Sequence, residues 1–330
     1  MDKELELIRQ KLSDTPSGHL IEILHLPDGR TSCRDITDIN IPSEARLRTE
    51  SFELYPGICF SFHYYMAEHF RFHHTHGKSV FSVDHCRTGR IGWEMKDGLS
   101  LYYGSGDLSF HYTDKCSDSR ITLPLGYYEG STISLDLRVL KEKLPDLMAE
   151  AGIDAEELCR RFCGEEEAAA LPANSRIDHV FSEVYELPEQ IKLPYLKLKC
   201  QELLFFLSMT ESDWEKALDP QYPRQVEIIK DIHRRITAHP EHRYTIDALS
   251  REYLINTAAL KSVFKSVYGM PVASYMKQYR ITKAAGLLRS TDASIASIAR
   301  TVGYESQSKF TAAFKEIMKI LPSEYRRQYM

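Results

Sequence analysis

The chain has 330 residues, 43% of them hydrophobic and 27% charged, the balance of an ordinary protein with material for two cores rather than of a disordered or fibrous one. No apolar run approaches the ~18 residues of a membrane span, the charged start MDKELELIRQKL lacks a signal peptide's apolar stretch, and seven scattered cysteines with no CxxC pair indicate reduced thiols in a cytoplasm. The net charge of −5 hides a division, because residues 221–330 hold 18 Lys+Arg against 9 Asp+Glu while residues 1–220 carry −14; a polyanion such as nucleic acid would be met at one end only.

In chain order, residues 46–136 read mainly as strands. ELYPGICFSFHYY, SVFSVDH, GRIGWEMKDGLSLYYGSGDLSFHY and EGSTISLDL are rich in β-branched and aromatic residues and punctuated by Gly, Asp and Pro. Hairpin turns are expected at Lys96-Asp97-Gly98 and at Gly104-Ser105-Gly106-Asp107, and strands at this spacing suggest an all-β barrel or sandwich. Within this region HFRFHHTHG (69–77) invites a metal reading, since on a strand His74 and His76 would point to one face. No Glu follows at short distance and the next histidine after Gly106-Asp107 is His111, so these two are weak candidates beside the plainer reading of a His-rich, solvated strand.

Helical patterns follow: LRVLKEKLPDLMAEAG from about 137, SRIDHVFSEVYEL from 175, and PYLKLKCQELLFFLSM at 194–209, where Leu196, Cys200, Leu203, Leu204 and Leu207 recur at helical spacing. The last either packs on the barrel or pairs with a second subunit. Cys159 and Cys163 stand one helical turn apart and read as core fillers. GEEEAAALPANS (164–175) reads as a break. ALDPQYPRQ (217–225), with two prolines where the charge changes sign, is the domain boundary: 1–215, a linker 216–224, and 225–330.

Everything beyond it reads helical. Gln225–Ala238 stops before Pro240, Thr245 caps IDALSREYL, Gly269 closes Thr257–Val267, Pro271 starts a long helix to Arg289, Ser294 caps IASIARTV, and Ser306–Met318 precedes a last turn from Pro322. These helices hold a duplication. LSREYLINTAALKSVFK (249–265) repeats as IARTVGYESQSKFTAAFK (298–315), with Leu249 matching Ile298, Leu260 matching Phe310, Phe264 matching Phe314 and Lys265 matching Lys315. The offset rises from 49 to 50 across the turn, so the second turn is one residue longer. Each copy is a helix-turn-helix. The second helix of the first copy leaves Thr257, Ala258, Lys261, Ser262 and Lys265 outside; that of the second leaves Gln307, Ser308, Lys309, Thr311, Ala312 and Lys315. Short polar side chains near the start of such a helix reach base edges in the B-DNA major groove, and lysines further along suit phosphates.

Residues from about 225 to 327 resemble the DNA-binding domain of the AraC/XylS family of bacterial transcription regulators. The residues that carry it are Arg280, Ala284 and Leu287-Leu288, Ile298-Ala299 with Val302-Gly303-Tyr304, Phe310 with Phe314-Lys315, and Pro322 with Tyr325-Arg326. The resemblance implies a sequence-specific regulator, usually an activator that works with RNA polymerase, with Ala258, Lys261, Ser262, Gln307, Ser308, Thr311 and Ala312 at base-reading positions. The β-rich segment likewise resembles the cupin-type sensor domains of such regulators, which bind a small effector and often dimerise. The fold expected is therefore α+β: a cupin-like β-barrel at about 46–136 with helices 137–209, dimerising through 194–209, then an all-α domain of two helix-turn-helix motifs joined by a linker helix. Aromatics expected in the effector pocket are Phe60, Phe62, Tyr64, Phe81, Trp93 and Tyr102. No P-loop, GxSxG, HExxH or zinc-finger spacing occurs, and no cofactor is expected. The reading from a different class is a metal-binding cupin sensor or enzyme fused to a DNA-binding domain.

Overall fold

The computed structural model describes residues 2–36, 40–72, 79–95, 98–113, 119–164, 168–173, 175–210 and 217–329. They form two compact units, Lys3–Gln221 and Tyr222–Met330. No described helix is long and apolar enough to cross a membrane.

The N-terminal unit is a rolled sheet flanked by helices. Its strands are β1 (His19–His25), β2 (Thr31–Ile36), β3 (Arg46–Tyr55), β4 (Ile58–Met66), β5 (His69–Phe72), β6 (Val80–Glu94), β7 (Ser100–Gly104), β8 (Leu108–Tyr112), β9 (Ser119–Thr122), β10 (Tyr127–Asp136) and β11 (Ala168–Leu171). The main path runs β11-β8-β6-β10-β4-β3-β1-β2, and β1 beside β3 is its parallel pair. The 15-residue β6 rolls the sheet. Its first half pairs with β8 and β10, and its second half, from Arg90, pairs with β7 and β9. Between the halves a bulge opposite Glu129/Gly130 leaves Arg87 as the extra residue, and Gly89 sits at φ +86, where an added Cβ would collide with the Tyr127 carbonyl.

Several expectations are corrected here. The sheet begins at residue 19, not 46, and recruits β11 from the alanine-rich stretch read as a break. Alanine favours helix in isolation, but residues 168–171 pair in register with His111–Leu108 on an open edge of β8. Gly104–Asp107 is not a hairpin turn. β7 and β8 both pair with β6, on its opposite halves, so this tight turn carries the chain from one half to the other; Asp107 holds it by accepting from the Gly104 N–H at 2.8 Å. Of the other expected turn, Lys96 and Asp97 lie outside the described residues. The helix expected from 137 is two, α2 (Leu137–Glu142) and α3 (Asp146–Glu150), parted at Pro145. After α4 (Ala155–Cys163) come α5 (Ser175–Phe181), a 3-10 turn at Val184–Glu186, and α6 (Glu189–Met209). The opening helix α1 (Asp2–Lys11) is pinned to β10 by Lys11 on Glu129 (2.6 Å) and by the Tyr127 hydroxyl on Glu4 (2.9 Å).

The described residues of the C-terminal unit form seven helices: α7 (Pro223–Ala238), α8 (Ile246–Glu252), α9 (Thr257–Tyr268), α10 (Val272–Ser290), α11 (Ile295–Thr301), α12 (Gln307–Met318) and α13 (Pro322–Tyr329). The caps expected from sequence at Thr245 and Ser294 are present, and Asn256 and Ser306 cap α9 and α12 in the same way. Thr245, Asn256, Ser294 and Ser306 each accept from a backbone N–H three residues on, each contributing about 1 kcal/mol. The linker helix α10 serves both halves. Its later turns bury Ile281, Ala284, Ala285 and Leu288 against Ile298, Phe310 and Phe314; its first turns bury Tyr275, which meets Phe264 and Tyr268 of α9.

Candidate nucleic-acid interface and barrel interior

The recognition-type helices are positioned by their apolar sides. In α9 these are Leu260, Val263, Phe264 and Val267; in α12, Phe310, Ala313 and Phe314. Full burial of each large one contributes about 2–3 kcal/mol. The opposite sides are open. Ala258, Lys261, Ser262 and Lys265 on α9, and Gln307, Ser308, Lys309, Ala312 and Lys315 on α12, are exposed, with Thr257 and Thr311 half-buried at the margins. Lys261, Lys265 and Lys315 have no ion-pair partner among the described residues, which leaves them available to an external anion. Lys309 is different: its ammonium lies 3.0 Å from Glu305, the residue that makes the second turn longer, and this pairing lowers the Glu305 pKa.

Three contacts tie the two motifs together. Lys277 on α10 reaches both oxygens of Glu316 on α12, each at 2.7 Å. Arg280 donates to the carbonyls of Pro240 (2.7 Å) and His242 (2.8 Å) in the loop between α7 and α8. That loop lies against Gly303, where a Cβ would stand 2.5 Å from the Pro240 carbonyl oxygen. Arg280 and Gly303, singled out in the sequence, thus hold the first motif's entry loop against the second motif's turn.

Inside the rolled sheet the parity of the expected pocket aromatics is corrected. Phe62 meets Tyr185 of the 3-10 turn, Phe60 meets Phe62, and Phe81 stacks on Phe110, which stacks on Phe162 of α4. These three phenylalanines therefore face the helices. Tyr64 lies under Lys11 of α1, and Tyr102 alternates with Leu101 and Tyr103, which belong to the interior cluster. Of the six, Trp93 packs against that cluster.

The interior instead holds a polar chain that sequence reasoning missed. The Tyr65 hydroxyl lies 2.8 Å from His63 Nδ1, His63 Nε2 lies 2.7 Å from Thr132 Oγ1, Thr132 donates to Asp84 Oδ1 at 2.6 Å, and Asp84 Oδ2 lies 2.9 Å from His111 Nδ1. Directions follow from proton inventory. Thr132 has one hydrogen and gives it to the carboxylate, so His63 donates through Nε2 and accepts at Nδ1 from Tyr65 or from Thr49, which is 3.1 Å away. Every donor then points toward Asp84. Burial alone would raise the Asp84 pKa, but His111 and Thr132 bring it below the usual carboxylate range. Desolvation pushes His63 down to about 4, keeping it neutral. The signal available in sequence was the alternation Ser61, His63, Tyr65 in β4 opposite Thr49 and Ser51 in β3; it was hidden because the intervening phenylalanines are the more apolar set.

His74 and His76 lie outside the described residues. Among the described residues the side chains of metal-ligating type that cluster are His239, Glu241 and His242, all exposed in the C-terminal unit and not in the barrel. Cys159 and Cys163 are buried on α4.

Residues 249–328 match the family model described as "Helix-turn-helix domain". The Tn10 transposon protein TetD of Escherichia coli is 36% identical over 100 residues, covering 30% of this chain and 72% of that one. This chain belongs to the AraC family of transcriptional regulators. A putative AraC-like transcription regulator of Streptomyces antibioticus is 33% identical over 91 residues, and there the match spans 28% of this chain and only 30% of the relative's length. Among solved structures, the C-terminal domain of AraT, a response regulator of Geobacillus stearothermophilus, is 31% identical, covers 31% of this chain and 86% of that one, and has a TM-score of 0.30. The AraC-family match lies within the C-terminal unit, in the helices that carry the two motifs.

Proposed function

We propose that this AraC-family protein is a cytoplasmic, sequence-specific activator that binds double-stranded DNA through α9 and α12 and is governed by a small molecule held in the rolled sheet. In this reading residues 1–215 sense the effector, 216–224 link, and 225–330 bind DNA. The observation that carries it is the pair of exposed polar helix faces with matched apolar backs, held in one arrangement by Lys277, Arg280 and Gly303. Two helices at fixed separation suit successive major-groove segments of one duplex face, ~34 Å apart. An effector would act by shifting the population of the DNA-competent arrangement, without chemistry, and the bound protein would engage RNA polymerase.

A homodimer through α6 belongs to the same reading. That helix buries Leu196, Cys200, Leu203, Leu204 and Leu207 on one side, yet leaves Leu198 57% and Met209 78% exposed on another. These two border a groove of about 610 Å³ that Leu147, Val180, Phe205 and Phe206 also line, an apolar surface of the kind that marks a protein interface.

The test is selection of sites from a random duplex pool by the full chain at physiological salt. Enrichment of one motif with two half-elements about a helical turn apart is expected; recovery of unselected sequence would sink the reading.

A further inference from the structure

We propose that the inner face of the rolled sheet is built to take a ligand rich in hydroxyl or ammonium donors and to exclude anions. This deepens the effector reading above and rests on it. Strand register sorts the charged residues. Thr49 pairs with His63 and stands beside Glu22, and Glu53 pairs with Cys59, so Glu22 and Glu53 share the inner face with Asp84. Both carboxylates act on the Cys59 thiol, raising its pKa after burial has done most of the work. By the same register Arg34 on β2, opposite Glu22, is the one Lys or Arg of the described strands on this face, and it is exposed. Arg46, Arg48 and Arg87 turn outward, where Arg48 lies near Glu50 and Arg87 holds Glu129 and Glu186.

The polar chain is ordered in the same sense. Each of its donors is spent on the way to Asp84, so what it offers a guest is acceptor character. Serine hydroxyls extend it: Ser51 with Ser61 at 2.8 Å, Ser82 with Ser134 at 3.5 Å. Ser109, opposite Asp84, is buried on the same face. An anionic guest would meet three carboxylates with a single edge arginine to offset them, whereas hydroxyl or ammonium donors would find acceptors in every direction. Trp93, tilted against His111 at 5.1 Å, adds an aromatic face beside the polar set.

The experiment is a thermal-shift series on the full chain with three arms at equal concentration: pentoses, hexoses and inositol; putrescine and spermidine; and succinate, citrate and benzoate. Stabilisation of 2 °C or more is expected in the first or second arm, and the responding arm separates hydroxyl from ammonium chemistry. Thr132→Val, which keeps the shape and removes the donor to Asp84, should cut that probe's affinity at least tenfold. Asp84→Asn provides a second variant should Thr132→Val fold poorly. Stabilisation by carboxylates alone, or by a probe indifferent to both substitutions, overturns the ligand class and leaves a ligand-binding barrel standing. No stabilisation in any arm overturns the class and the effector reading together.

Discussion

The two helix-turn-helix copies solve the same backbone problem with opposite residues. Each needs left-handed conformation twice, once in the turn and once after the second helix. The second copy puts Gly303 (φ +87) in the turn and Lys319 (φ +65) after α12. The first puts Leu254 (φ +50) in the turn and Gly269 (φ +81) after α9. Glycine adopts this region freely, while a side chain there costs roughly 1–2 kcal/mol. Strain is thus carried once in each motif. What decides where glycine goes is crowding. Gly303 lies against the Pro240–Glu241 backbone and has no room for a Cβ, whereas Leu254 is 91% exposed and only its own torsion resists. The turn of the second copy is thus a junction, and that of the first is an open corner.

The largest test is Gly303→Ala. It should cost about 2–4 kcal/mol, since torsional strain adds to a backbone collision that no side-chain movement relieves. Urea unfolding followed by far-UV circular dichroism would read it, and a loss below about 1 kcal/mol would mean that the junction yields easily.

Acid should separate the two halves next. His233 stacks on Tyr268 and lies 2.7 Å from the Tyr275 hydroxyl, and desolvation lowers its pKa to about 4. No histidine occurs in the second copy. Because the folded value lies below the ordinary ~6.5, the unfolded chain takes the proton first. The stabilisation is therefore complete above about pH 6.5 and is lost as pH falls toward 4. Between pH 7 and 5 the helices around His233 should lose about 2 kcal/mol. Amide exchange should show α7 and α9 losing protection before α12, and His233→Phe should remove the difference.

Base reading is expected to be lopsided. Gln307→Ala should cost about 1–3 kcal/mol of discrimination at one or two base pairs, while Ser262→Ala, in a helix start with two alanines, should change preference less. Lys265→Ala should weaken all sequences alike and reduce the salt slope. Competition titrations on matched and mismatched duplexes would reveal equal effects if the asymmetry is false. Smallest of all, Leu254→Gly and Lys319→Gly should each stabilise by about 0.5–1 kcal/mol, and a destabilising Leu254→Gly would show that the exposed leucine has a partner.

The C-terminal unit was legible nearly residue by residue, because its signals are local. Caps, helix-closing glycines and 3.6-residue periodicity act within a few positions, and the duplication supplied an internal check. The missing details there concern the strained Leu254 and Lys319, which no propensity rule marks. The N-terminal unit was legible as strand-rich and little further. β11 is alanine-rich and is a strand only because β8 offers an edge; Gly104–Asp107 looks like a hairpin turn and is a crossing; Phe60, Phe62 and Phe81 looked like pocket residues and lie under helices.

By itself, then, the sequence determined the family, the two matched motifs and the polar helix faces, since each is written in neighbours a turn or two apart. Which face of each strand looks inward was decided by the tertiary structure alone. A strand with side chains of similar size on both faces can be read either way, and the choice falls to partners far along the chain: α4 and the 3-10 turn claim the phenylalanines, and His63, Thr132, Asp84 and His111, from four strands, meet only once the sheet has rolled.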